Sequence, residues 1–60
     1  MNELERIKQN VRMKLAALRQ FLRDRSEYLT ETERDEILDE MNKYLTLIEE
    51  IEKLEKRGLS

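Results

Sequence analysis

Apolar side chains recur at Leu4, Ile7, Val11, Leu15, Leu18, Leu22 and Leu29, in steps of three, four or seven residues. At about 100° per residue this spacing lays them along one face of an α-helix. The consecutive four-residue steps from Ile7 through Val11 to Leu15 act as a stutter, so the seam is expected to run straighter than in a strict heptad coil. A second row, Met13, Ala17, Phe21 and Tyr28, falls on the same helix roughly 100° away. One helix cannot bury both rows against a single neighbour. The pattern breaks around YLTETERDE and resumes with Ile37, Leu38, Met41, Tyr44, Leu45, Ile48 and Ile51, joined by Leu47 and Leu54. This second stripe is nearly half the helix circumference wide.

Capping residues set the ends. Asn2 followed by Glu5 has the spacing of a capping box, and Thr30 with Glu33 repeats it, while Thr32 with Asp35 offers a weaker version. Acids crowd the turn after Thr30, where the positive end of a new helix favours them. Lys56 and Arg57 suit a helix C-terminus, Gly58 suits the left-handed position beyond it, and Leu59 is expected to fold back on Leu54. The expected order is one domain over residues 1–60, with a first helix at about 3–28, a turn at about 29–31 and a second helix at about 31–57. Each helix would be roughly 39 Å long. Neither Gly nor Pro interrupts residues 26–34, so one continuous helix is the alternative. Two capping boxes at helix-start spacing favour the bend.

The fold class read from this pattern is all-α: an antiparallel two-helix hairpin that homodimerises into a four-helix bundle or coiled-coil-like assembly. Sixty residues with no cysteine and no histidine have neither disulfide nor thiolate-metal support, which leaves association between copies as the remaining source of a core. Met13, Ala17, Phe21, Tyr28, Met41, Tyr44, Ile48 and Ile51 are the expected dimer interface. Charge divides between the helices: residues 1–25 hold seven basic and three acidic side chains, and residues 26–60 five basic and eleven acidic. Opposite signs favour pairing within the hairpin, with Arg23 near Asp39, Arg12 near Glu49 and Lys8 near Glu52. The acid-rich turn region suggests that two hairpins pack head to tail, which would separate those ends.

Charged residues make up 43% and hydrophobic ones 38%, with one glycine and no proline, a composition of long amphipathic helices. No apolar run is long enough to cross a membrane, Met1 leads directly into charged residues without a secretory signal, and the absence of Cys fits the cytoplasm. Nucleophilic triads and zinc sites need His or Cys, and paired catalytic carboxylates need a pocket that a thin hairpin lacks, so no enzyme activity, cofactor, metal or small-molecule substrate is expected. Asp35 with Asp39 and Glu36 with Glu40 have helical spacing, but acids in a first helical turn are accounted for by the helix dipole.

Two surfaces remain as binding candidates. Glu31, Glu33, Asp35, Glu36, Asp39 and Glu40 could dock on a basic surface of another protein, while Lys8, Arg12, Arg19 and Arg23 form a row of about 22 Å that could track phosphates. The layout resembles the Rop family of plasmid copy-control proteins, dimers of helical hairpins whose basic first-helix face binds paired RNA loops. The likeness lies in hairpin length and charge polarity. The hairpin is also similar to the sporulation aspartyl-phosphate phosphatases, whose second helix carries Ser-Gln-Glu-Leu-Asp. At that place this chain has Leu38, Asp39, Glu40, Met41 and Asn42, and only Glu40 agrees. The function expected from the residues is that of a small regulator of bacterial, plasmid or phage accessory type, binding a transcription regulator or signalling protein as a homodimer. A nucleic-acid binder is the alternative, and a structural coiled-coil fragment or designed bundle the third reading.

Overall fold

Asn2 begins the first helix. Its Oδ1 accepts from the Glu5 N–H at 2.8 Å, satisfying one of the orphan amides of a helix start. The return bond from Glu5 does not form among the described residues, so this cap is half a box. A computed structural model describes residues 2–58 as two helices, α1 (Glu3–Arg25) and α2 (Glu31–Lys56). At Thr30 both halves of the box form: Glu33 N–H donates to Thr30 Oγ1 at 3.1 Å, and Thr30 N–H donates to Glu33 Oε1 at 2.9 Å. The expected contact of Leu59 with Leu54 lies outside the described residues.

The first helix stops at Arg25, earlier than the expected residue 28, and the link covers residues 26–30 rather than 29–31. Tyr28 and Leu29 both donate their N–H to the Arg25 carbonyl, at 2.9 and 3.2 Å, closing a turn over it. Arg34 Nη2, from the first turn of α2, donates to the Ser26 carbonyl at 2.9 Å. A guanidinium from the second helix therefore takes a carbonyl that continued helix would have used. The far end of α2 closes with Gly58, whose φ of +79° is the left-handed position and whose N–H donates to the Glu55 carbonyl at 3.0 Å.

The helices run antiparallel. Lys8 Nζ, near the start of α1, lies 2.6 Å from Glu55 Oε1 near the end of α2, and Arg12 Nη2 lies 3.9 Å from Glu52 Oε2. Lys8 and Arg12 each reach three residues further along α2 than the sequence predicts. Side chains lean toward the N-terminus of their own helix, so a basic residue on α1 reaches toward the open end and meets an acid leaning back from it. Arg23 and Asp39 form no ion pair among the described residues.

With extents of 44 × 18 × 11 Å, the molecule is two helices wide and one thick. Its core is correspondingly thin: Val11, Leu15 and Ile51 are buried, at 6, 7 and 4% exposure. Leu4, Leu18, Leu22, Leu29, Ile37, Met41, Tyr44, Ile48 and Leu54 are half-buried along the seam. Ile7 is exposed, and Lys8 takes its place beside the seam, with a side chain only 17% exposed whose aliphatic stem can cover apolar surface. Leu38, Leu45 and Leu47 remain exposed because one partner helix covers only part of so wide a stripe.

Candidate functional site

Beside the seam, one broad side of the hairpin holds an apolar hollow. Lys14, Ala17, Leu18 and Phe21 of α1 and Tyr44 of α2 line an open hollow of about 370 Å³. Phe21 is exposed on it, with Arg25 Cζ 5.8 Å from the ring centroid in a cation–π arrangement. The Tyr44 hydroxyl donates to Glu40 Oε1 at 3.5 Å, so its polar tip turns to the acidic side and its ring stays at the groove. Ile7, Lys14 and Phe21 are spaced by seven and share this side, as do Tyr44, Leu47 and Leu54 on α2.

Of the residues expected at a dimer interface, Ala17, Phe21 and Tyr44 thus come together. Ile51 does not belong with them: its surface is consumed within the protomer by packing on α1. Met41 and Ile48 are half-buried in the seam. Met13, 62% exposed, lies nearly opposite the seam on the outer side of α1, and Tyr28, 80% exposed, sits in the link beyond the helix. Sequence reasoning missed Ile7, Lys14 and Leu47 for this side. The signal that would have found Ile7 and Lys14 is their seven-residue spacing with Phe21, and Leu47 stands at the same spacing from Leu54.

The basic row runs along the opposite side and is divided in use. Lys8 and Arg12 are paired with Glu55 and Glu52, whereas Arg19 and Arg23 are exposed and form no ion pair among the described residues. The acids near the link are all exposed. Glu33 is engaged in the Thr30 cap. Glu36, Asp39 and Glu40 line a second open hollow, of about 380 Å³, with Lys43 and Tyr44, while Glu31 and Asp35 flank it in sequence. Among the described residues no group of three carboxylates could hold a metal ion, and no helix is long and apolar enough to cross a membrane.

No family model matches the chain, and neither a curated protein nor a solved structure matches it.

Proposed function

We propose that this hairpin is a non-enzymatic regulatory protein that acts as a homodimer by binding another protein, with the acids of the link-proximal end as the contact surface. The supporting observation is the imbalance of burial. Three hydrophobic side chains are buried among the described residues, against seven large ones left exposed: Ile7, Met13, Phe21, Tyr28, Leu38, Leu45 and Leu47. Five of the seven keep 37–43% of their surface in water and Met13 and Tyr28 keep more, so association has further apolar surface to cover, at about 25 cal/mol per Å² removed from water. An acid-rich end with few competing cations favours a partner that presents a basic surface, such as a transcription regulator.

Sedimentation equilibrium over a wide concentration range tests the first half, with a dimer mass expected and a constant monomer mass overturning it. Capture from cell extract tests the second. A partner retained by the wild-type chain after nuclease treatment, and lost with Glu36→Gln/Asp39→Asn/Glu40→Gln, supports the reading; retention by that variant sinks it.

Arg19 and Arg23 support a second reading, contact with RNA or DNA through the unpaired part of the basic row. A nucleic-acid complex is expected to weaken steeply with salt and to be lost in Arg19→Gln/Arg23→Gln. Unchanged binding of labelled RNA by that variant would eliminate it.

A further inference from the structure

We infer that the second copy covers the Phe21–Tyr44 side with the two chains running in the same sense, so that each α1 lies on the partner's α2 and both links stand at one end of a four-helix bundle. This rests on the self-association proposed above and adds the face and the orientation.

Area supports the face. The hairpin is a plate of 44 × 18 Å, so one covered side is about 800 Å² and a dimer buries about 1,600 Å² in total, the size of a stable specific interface. The opposite side serves less well, because it carries Arg19 and Arg23, which are exposed, form no ion pair among the described residues, and would lose water on association without compensating partners.

Charge supports the orientation. Residues 3–25 carry seven basic and three acidic groups, net +4, and residues 31–56 four basic and ten acidic, net −6. Two-fold packing of plates allows two arrangements. Head to tail, α1 lies on α1 and α2 on α2, so helices of like sign are neighbours. With both links at one end, every helix has two neighbours of opposite sign and the like helices stand on the diagonals. Neighbouring axes are about 8–10 Å apart and diagonal ones about 13 Å, beyond the Debye length of about 8 Å at physiological salt. Screening therefore weakens the diagonal repulsion more than the neighbour attraction, and the head-to-tail packing expected from the acid-rich ends alone is disfavoured.

The register carries a specific pair. Arg12 meets Glu52 inside the hairpin. Lys14 is two residues further along α1 and Glu50 two residues nearer the start of α2, so the same antiparallel register sets Lys14 of one copy against Glu50 of the other. Lys14 already lines the apolar groove, and Glu50 has an exposed side chain whose neighbour in charge is Lys53, at 3.5 Å.

Because the chain has no cysteine, Ser26→Cys gives one label per protomer near the link. Spin-label distances below about 25 Å are expected, given diagonal helices about 13 Å apart plus two label arms. A distance near the 44 Å length of the hairpin overturns the orientation while leaving self-association standing. A monomer in sedimentation overturns both. Lys14→Glu and Glu50→Lys are each expected to weaken dimerisation by about tenfold, since a two-fold dimer loses the pair twice, and the double variant to restore it within about threefold. Helicity measured by circular dichroism separates this from failure to fold. Dimers of the double variant no tighter than those of the singles overturn the pairing.

Discussion

Arg34 shows how one side chain can shape a bend that has no glycine or proline. Its bond to the Ser26 carbonyl spans eight residues and gives an exposed helix end a charge-assisted partner. Arg34→Gln is expected to lower stability by about 1 kcal/mol, read from urea unfolding. Thr30→Ala removes the side-chain half of the only complete capping box among the described residues and is also expected to cost about 1 kcal/mol. At Lys8 and Glu55 the pair is partly sheltered, with side chains 17 and 24% exposed, and it sits where the chain enters and leaves the hairpin. A double-mutant cycle with Lys8→Met and Glu55→Gln should return a coupling of about 1 kcal/mol. The more exposed and longer Arg12–Glu52 contact should return close to none.

At the scale of the helices, what was legible in the chain was what is decided locally. Both N-caps depend on side chains three residues apart, and both starts fall where Asn2 and Thr30 place them. The end of α1 was not legible, because Arg34 acts on it from across the link. Nor was the exchange of Ile7 for Lys8 at the seam: a hydropathy pattern counts lysine as polar, while the structure uses its stem and pairs its partly sheltered charge with Glu55. Apolar spacing alone does not say which part of the second stripe a partner helix consumes. Ile51 and Leu38 differ for that reason. Ile51→Ala is expected to destabilise by about 2–5 kcal/mol, and Leu38→Ala by under about 1 kcal/mol, in chemical denaturation.

For the whole molecule, a plate 11 Å thick has two broad sides and only a thin core, and the difference between those sides decides how it assembles. Phe21→Ser is expected to weaken dimerisation at least tenfold by sedimentation, whereas Leu38→Ser, on the side of the basic row, leaves it unchanged. The melting temperature of the wild-type chain should also climb with protein concentration, as it does whenever folding and association are linked. The link itself has a further consequence. Ser26, Glu27, Tyr28, Leu29 and Thr30 can all adopt helical backbone, so straightening it strains no residue, and the seam lost inside one chain can be rebuilt against α2 of another. With Arg34 as the latch, Arg34→Gln should accumulate strand-exchanged rods in concentrated solution, eluting ahead of the wild-type species on size exclusion.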